Sequence, residues 1–216
     1  MNLLPSDEQL EIISAAAEFL SERMPVENIR ANRHAESAVS HDAWREGAEM
    51  GLLTLGLPEQ HGGSGRPFDD EVLLYMELGR RLAPGPFLAG TLAARVAVRC
   101  GDQTLAQGIG SGEIRVALAI PRGGSGIRPV KGTFDLFDHP GARYALAVDR
   151  SGAALIDVAA FGEPAVVQPA DPGTRLASAT ATEVEPVHWV DSEDEWLWGR
   201  AMVLSAAFLA GLAGAA

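Results

Sequence analysis

The sequence predicts an α+β fold: an N-terminal all-α domain, a small antiparallel β domain or barrel, and the start of a C-terminal helical bundle. Three observations favour this order. Apolar residues recur at helical spacing to about residue 110, short β-type runs follow, and an apolar helical segment resumes near residue 192. These changes of pattern predict domain boundaries at residues 1–112, 113–190 and 191–216.

The first half of the chain carries start and stop signals for helices. Ser6 and Gln9 have the spacing of a capping box, and Pro25 ends the first helix. Its expected core-facing stripe consists of residues at steps of three and four: Leu10, Ile13, Ala17 and Leu20. Further helices are expected at 42–50, 68–82, 88–98 and about 103–107, the last capped by Asp102.

Apolar runs bounded by Gly, Pro, Asp and Ser turns predict strands in the middle of the chain. The predicted strands are 116–120, 145–148, 154–158, 166–167 and 184–190. A last helix is expected to begin at a second capping box, Ser192 to Glu195, and to continue to the end of the sequence. Since little else in the chain is free to cover this helix, we expect its small-residue face to pack against a truncated bundle or another chain. That face consists of Ala206, Ala210 and Gly214.

Composition and charge exclude several classes of protein. The net charge is −12, and no run of Lys or Arg is present to neutralise a nucleic-acid backbone. The longest charge-free apolar stretch has 16 residues, which is shorter than the roughly 20 needed for a membrane-spanning helix. A single cysteine and an N-terminus without signal-peptide features predict an intracellular, reducing, cytoplasmic setting.

The side-chain types that serve in catalysis and metal binding do not form a recognisable motif in this sequence. The five histidines lack metal-ligand spacing, and no P-loop, Gly-x-Ser-x-Gly or Gly-x-Gly-x-x-Gly motif occurs. Cys100 is expected to be a small buried hydrophobe on a helix. Four glutamates at helical spacing are expected to line solvated faces: Glu46, Glu49, Glu71 and Glu77. These residues therefore predict neither a catalytic residue nor a metal site.

Two glycine-rich segments remain as candidates for binding. Leu57 to Gly65 joins two predicted helices, and a flexible connection is the alternative interpretation. Ala117 to Gly126 leaves a strand and turns, so its backbone N–H groups and the Ser125 hydroxyl are suited to a phosphate or a flavin edge. A plain hairpin turn is the alternative there.

The order of these features resembles the acyl-CoA dehydrogenase family, whose members have a helical domain, a β domain and a four-helix bundle. Four stretches carry the resemblance across the chain: Met50 to Leu53 with Leu57 to Gly63, Glu77 to Arg80 followed by Pro84, Ile109 to Glu113, and Ala117 to Ser125. The resemblance implies an FAD-dependent oxidoreductase of lipid metabolism that desaturates an acyl-CoA at its α and β carbons. It also implies an electron-transfer flavoprotein as acceptor and a homo- or hetero-oligomer.

Position by position, the resemblance assigns five residues to the flavin ring and to the acyl-CoA or pyrophosphate end: Val116, Leu118, Ala119, Gly124 and Ser125. The family's Thr-Glu-Pro is replaced here by Ala119, Ile120 and Pro121, and the tryptophan of its Trp-Ile-Thr element is absent. The family's catalytic glutamate is expected beyond residue 216, so the chain is expected to be truncated before it. The alternative is a non-catalytic, degenerate subunit of a heteromeric dehydrogenase; a plain helical acyl-binding module would leave the strands without a role.

Overall fold

The computed structural model describes residues 4–215 and contains seven α helices in that range. Their bounds are α1 Asp7–Arg23, α2 Val26–Ala31, α3 His41–Glu49, α4 Phe68–Arg80, α5 Phe87–Arg99, α6 Gln103–Gly110 and α7 Leu197–Ala213. The predicted capping box of α1 is confirmed, since Ser6 and Gln9 bond reciprocally. Asp102 caps α6 by accepting the Leu105 N–H at 3.0 Å. The short helix α2 was not predicted.

The buried face of α1 differs from the predicted stripe. Ala16, Phe19 and Leu20 are buried, whereas Leu10 is 51% exposed. The Phe19 ring lies where α3 has Gly47, so the absence of a side chain at that glycine lets the ring approach closely. Packing against α4, with the Phe19 ring close to α3, therefore decides which side of α1 is covered.

Eight strands form one mixed sheet in the described part of the chain. They are β1 Val116–Pro121, β2 Gly126–Ile127, β3 Val130–Phe137, β4 Tyr144–Asp149, β5 Gly152–Asp157, β6 Ala165–Val167, β7 Leu176–Val184 and β8 His188–Asp191. The spatial order is β6-β7-β3-β1-β4-β5-β8, with β2 beside β3. The predicted fold class is confirmed. All neighbours are antiparallel except β1 and β4, because β4 crosses to the edge of β1 that β3 leaves free.

The sequence did not predict three of the strands, and it misplaced one. Strands β2, β3 and β7 were not predicted, and the expected strand at 184–190 is divided between the end of β7 and β8. In β7 the buried positions are alanines that alternate with Ser and Thr, as in Ala177, Ala179 and Ala181. Such small side chains give little hydrophobic contrast, so the period of two is hard to see in the sequence.

Alternate residues of the sheet pack on different layers. Val116, Leu146 and Leu155 face α5 and α6, whereas Ala117 and Phe134 belong to the core on the other side. The helical layer has its own core around Trp44 and Leu78. Helices and sheet are thus joined through a shared apolar layer, which fixes the loops between them.

The expected capping box at Ser192 to Glu195 is wrong. Helix α7 begins at Leu197, and Trp196 occupies the N-cap without a side-chain hydrogen bond. The Glu195 carboxylate is instead paired with Arg99 at 2.6 Å and with Arg95 at 3.6 Å. These ion pairs hold Glu195 against α5, so it does not cap its own helix.

Helix α7 packs along α4 in the same chain, contrary to the expectation that little of the chain could cover it. The contact is backbone against backbone: a side chain on Gly79 would overlap the Phe208 carbonyl, and one on Gly211 would overlap the Met76 carbonyl. The predicted small-residue face of Ala206, Ala210 and Gly214 lies on the exposed side of α7. Its packing against a bundle or another chain stays a prediction.

Within residues 4–215, no α helix combines the length and the apolar character required to cross a bilayer. The same range contains no group of three or more His, Cys, Asp or Glu side chains arranged to hold a metal ion.

Candidate functional site

A cleft of about 620 Å³ lies where the helical layer meets the loops of the sheet. Its walls come from α2, the connection between α4 and α5, α7, and the loops that contain Asp138 and residues 171–174. Large apolar side chains dominate the helical side, namely Ile29, Phe87, Leu88, Phe208, Leu209 and Leu212. A concave site with apolar walls and few polar groups is typical of a small-molecule site.

Tyr75 gives the apolar wall of the cleft one buried polar group. Its hydroxyl donates to the Thr91 hydroxyl at 3.0 Å, so the polar atom is satisfied inside the helical layer. Burial raises the pKa of Tyr75, which keeps the phenol neutral. Tyr75 therefore contributes an uncharged aromatic ring to the wall of the cleft.

Two residues in the wall of the cleft have strained backbones. Leu82 and Asp138 adopt positive φ angles of 51° and 53°, in the left-handed region that residues other than Gly rarely occupy. Glu183, on β7, is the other non-glycine residue with positive φ among residues 4–215. Such strain costs on the order of 1–3 kcal/mol per residue and concentrates at functional sites. The cleft is therefore a place where the fold tolerates strain.

Asp138 is a half-buried residue that lines this cleft. Its backbone N–H donates to the Arg175 carbonyl at 2.7 Å, and its Oδ1 accepts the Arg175 N–H at 3.2 Å. Burial raises the pKa of Asp138 to about 6, against the opposing effects of the Arg175 N–H and the charges of Arg175 and Arg115. The sequence does not mark this residue as part of a site, because Asp138-His139-Pro140-Gly141 has the composition of an ordinary turn.

Asp138→Asn is expected to stabilise the protein near neutral pH. Because the folded pKa is raised from 3.8 to about 6, the native state binds more protons than the unfolded state in that window. Stability therefore falls as pH rises from about 4 to about 6 and is level above it. Asparagine tolerates the left-handed backbone and carries no charge. The variant is therefore expected not to lose stability as pH rises through this range.

Denaturant unfolding measured across that pH range tests the prediction, with Asp194→Asn as the control for removal of one charge from an exposed site. The advantage of Asp138→Asn over the wild type is expected to shrink as pH approaches 4. If Asp138→Asn were more stable than the wild type by the same amount at every pH, the raised pKa of Asp138 would be contradicted as the cause.

The sequence-predicted site residues do not converge in the structure. Val116 and Leu118 point to the layer shared with α5 and α6, whereas Ala119 points into the opposite core. Val116 and Ala119 are each 1% exposed, so other protein atoms cover their side chains. Leu118 is half-buried, Gly124 is exposed and Ser125 is half-buried. None of the five lines the 620 Å³ cleft.

The turn after β1 nevertheless offers an open backbone surface. A Cβ atom added to Gly123 or Gly124 would meet no atom within 4 Å, and Gly124 has φ of 82°. Within the described range, the N–H groups of these two glycines have no protein acceptor. The Ser125 hydroxyl is already engaged, since it donates to the Thr133 carbonyl at 2.8 Å. The free amides fit an anionic or carbonyl edge of a cofactor such as FAD.

Two of the four glutamates that the sequence placed on solvated faces are buried, which corrects that prediction. Glu71 and Glu77 are each 2% exposed. Arg95 and Arg200 bind Glu71, while Arg80 and Arg81 bind Glu77. A buried carboxylate is tolerated when arginines supply both charge and hydrogen bonds.

Cys100 is also misassigned by the sequence: it is exposed at the C-terminal cap of α5. Its thiol donates to the Trp189 carbonyl at 3.5 Å, and partial desolvation raises its pKa. A raised pKa lowers the thiolate fraction, which disfavours a nucleophilic role.

Comparison with known proteins agrees with this architecture. The model of the acyl-CoA dehydrogenase N-terminal domain matches residues 6–108. Acyl-CoA dehydrogenase FadE27 from Mycobacterium tuberculosis is 31% identical over 187 residues, which is 76% of this chain and 50% of the relative. A variant of the Tcur3481–Tcur3483 steroid ACAD shares the fold with a TM-score of 0.78 at 22% identity, covering 97% of this chain and 64% of that one.

A second structural match is PigA with FAD and proline, with a TM-score of 0.75 and 14% identity over 100% of this chain and 67% of that chain. The domain order, the sheet and these matches define a protein with the helical and β parts of an acyl-CoA dehydrogenase. The chain belongs to the acyl-CoA dehydrogenase family. It spans at most half the length of the curated relatives it matches.

Proposed function

We propose that this chain supplies the helical and middle portions of an FAD-dependent acyl-CoA dehydrogenase, which introduces a double bond between the α and β carbons of an acyl-CoA thioester. The observation that carries the proposal is the apolar cleft of about 620 Å³ between α7, the α4–α5 connection and the loops of the sheet. An acyl chain is the part of such a substrate that an apolar wall recognises. Membership of the family supports the reaction type.

The acyl chain is proposed to lie against the aromatic and aliphatic side of the cleft. Phe87, Leu88 and Phe208 supply that surface, and the paired hydroxyls of Tyr75 and Thr91 leave it without a charge. Water that solvates these side chains in the free protein would be released when the chain binds. The cleft thereby orients the substrate, while the α-proton acceptor is not assigned to any residue of this chain.

FAD is the proposed cofactor, and its bound flavin would accept the hydride that leaves the β carbon. The supporting features of this chain are the free N–H groups of Gly123 and Gly124 and the 44% exposed Ile120 at the end of β1. Of the five residues assigned by resemblance, Leu118, Gly124 and Ser125 are proposed as surface contacts. Val116 and Ala119, which are buried on opposite faces of β1, are proposed to hold the strand in place.

Flavin retention tests this proposal. The protein, saturated with FAD and passed through gel filtration, is expected to keep flavin absorbance. Gly123→Asp is expected to weaken FAD binding about tenfold, because a carboxylate would repel the anionic cofactor. Gly123→Asn is the matched control, since it adds nearly the same volume without the charge, and a Cβ at this position meets no atom within 4 Å.

A protein that stays colourless, alone and with a partner subunit, would contradict the flavin proposal. Equal FAD affinity in the Asp and Asn variants would contradict the position proposed for the cofactor.

A second candidate is a non-catalytic subunit of a heteromeric dehydrogenase. It is favoured by the buried alanine at position 119, which stands where the family has a hydroxyl. The steroid ACAD of similar fold is named for the pair Tcur3481–Tcur3483, which supports pairing as an option within this fold. Reduction of bound flavin by acyl-CoA in the unpartnered protein would exclude this candidate. For the first candidate function we also propose that an electron-transfer flavoprotein accepts the electrons and that the protein is cytoplasmic.

A further inference from the structure

The wall of the apolar cleft contains few polar side chains, and several of them already have hydrogen-bond partners in the protein. The Tyr75 hydroxyl donates to the Thr91 hydroxyl at 3.0 Å. Asp171 accepts the Gly173 N–H at 2.8 Å and the Thr174 hydroxyl at 2.9 Å, so both of its carboxylate oxygens are occupied. In a cleft whose other walls are apolar, a polar group that is not occupied in this way decides how a ligand is oriented.

Asp138 presents such a group to the cleft. Its Oδ1 accepts the Arg175 N–H at 3.2 Å, whereas its Oδ2 has no hydrogen-bond partner among residues 4–215. The side chains of Arg30 and Ser205 also have no hydrogen bond in that range, but neither is held in place. The Ser205 hydroxyl can turn to a carbonyl of its own helix, and Arg30 is exposed to solvent. Asp138 Oδ2 is therefore the fixed acceptor of this wall.

The end of the β3–β7 pair fixes the position of the Asp138 carboxyl. Asp138 directly follows β3, and Arg175 directly precedes β7. The Asp138 N–H donates to the Arg175 carbonyl at 2.7 Å, so the backbone and the side chain of Asp138 are bound to the same neighbour. Its φ of 53° lies in the left-handed region, which Asp and Asn tolerate better than most other residues. These restraints hold the carboxyl in one orientation at the cleft.

The nearby arginines do not occupy the carboxylate by direct contact. The Arg175 guanidinium donates to the carbonyls of Ala35 and Pro172 at 2.8 and 2.9 Å, and Arg115 donates to the Ser37 hydroxyl at 3.1 Å. Burial raises the pKa of Asp138 to about 6, and the charges of the two arginines oppose that change. Near neutral pH the carboxyl is therefore ionised, and an ionised carboxyl accepts hydrogen bonds but donates none.

We propose that Asp138 determines specificity in the cleft by accepting a hydrogen bond from a hydroxyl group on the acyl part of the ligand. The ligand class is an acyl thioester whose otherwise apolar acyl group carries a hydroxyl. This inference rests on the proposed function for the position of the acyl chain.

The physical basis is the cost of leaving a carboxylate oxygen without water or another donor. An acyl chain that fills the cleft displaces the water around Oδ2 of Asp138, and an unpaired charged acceptor is then costly. A hydroxyl on the chain replaces that water with a charge-assisted hydrogen bond. A ketone at the same carbon brings a second acceptor against the carboxylate, so it is disfavoured.

Calorimetric titration near neutral pH with decanoyl-CoA and two series of its derivatives tests the proposal. One series carries a hydroxyl and the other an oxo group, placed at one carbon after another in the distal half of the chain. At the carbon that faces Asp138, we expect the hydroxy compound to bind about tenfold more tightly than the oxo compound. It is also expected to bind more tightly than unsubstituted decanoyl-CoA.

Asp138→Asn changes the polarity of this hydrogen bond without changing the size of the side chain. The asparagine Oδ1 can keep the Arg175 N–H, which places the Nδ2 donor where the wild type has an acceptor. The oxo compound is therefore expected to bind the variant at least as tightly as the hydroxy compound does. Asp194→Asn is the matched control, because Asp194 is exposed and does not line the cleft. It is expected to keep the wild-type preference for the hydroxyl.

The pH profile of this preference gives a second readout. Below about pH 6 the protonated Asp138 of the wild type can donate to a ketone, so the preference for the hydroxyl is expected to decline as pH falls. The other charged or titratable groups near Asp138 are Arg115, Asp171, Arg175 and the adjacent His139, whose pKa burial lowers. All four remain in Asp138→Asn, whose ratio of affinities is expected to be level over the same range.

Three results would overturn the role of Asp138 while the proposed function stands. They are equal affinities for the hydroxy and oxo compounds at every carbon, the same ratio of affinities in the wild type and in Asp138→Asn, and a pH profile that persists unchanged in Asp138→Asn. Failure of decanoyl-CoA and all its derivatives to bind would overturn the proposed function and this inference together.

Discussion

Glu71→Gln is expected to lower the free energy of unfolding by about 3–5 kcal/mol, the usual cost of breaking a buried ion pair from one side. Glu71 on α4 is bound by Arg200 of α7 and by Arg95 of α5, the latter at 3.1 Å. Its side chain is 3% exposed. A neutral glutamine would leave two partly buried guanidinium groups facing each other without the carboxylate that separates their charges.

Further contacts fix the two arginines of this cluster on α5 and α7. Arg95 also donates to the Gly56 carbonyl at 3.0 Å, and the Arg200 guanidinium lies 4.1 Å from the centre of the Phe68 ring. Burial lowers the pKa of Arg200, and the charge of Glu71 opposes that change. Loss of the carboxylate therefore weakens the attachment of α5 and α7 to α4 together.

Glu46→Gln is the matched control, because Glu46 pairs with Arg23 at a surface where the two side chains are 43% and 46% exposed. An exposed pair contributes at most about 1 kcal/mol. Urea unfolding of both variants gives the comparison. A Glu71→Gln variant that unfolds within about 1 kcal/mol of the wild type would show that the cluster does not hold the helices together.

Gly211→Ala is expected to destabilise the protein by about 3 kcal/mol or more, although alanine is the better helix former by about 1 kcal/mol. The added methyl group would overlap the Met76 carbonyl of α4. Since the obstacle is backbone, no rotamer change can relieve it, and α7 must move away from α4. Movement of α7 would also disturb Phe208, Leu209 and Leu212 in the wall of the cleft.

Gly214→Ala, less than one turn further along the chain, is the control. Gly214 has φ of −78°, and its nearest neighbours would be ordinary contacts at 3.5 Å. The control is therefore expected to be neutral within about 0.5 kcal/mol. Thermal unfolding measures both, and equal midpoints would contradict the close approach of the two helices.

Local signals explain which elements could be predicted from the sequence. The reciprocal bonds of Ser6 and Gln9 and the cap at Asp102 involve residues three apart, so the sequence contains all the information they need. The Ser192 to Glu195 pattern is equally local but wrong, because Arg99 and Arg95 of a distant helix bind Glu195. A capping pattern predicts structure only when no stronger partner competes for its carboxylate.

The candidate site was predicted less completely, for a related reason. The turn at Gly123 and Gly124 is recognisable because two adjacent glycines mark it. The apolar cleft is assembled from segments as far apart as Val26 and Leu212, and Asp138 belongs to it through contact with Arg175. No pattern within a short window of sequence contains these relationships.

The amino-acid sequence by itself determined the order of helical, strand-rich and helical segments, most helix ends and the family resemblance, because hydrophobic period and capping act over a few residues. Tertiary structure decided which carboxylates are buried, which face of α7 packs, and where the cleft lies. Glu71 shows the reason: its partners lie 24 and 129 residues away along the chain. Burial and charge pairing depend on three-dimensional contact, which folding creates between distant residues.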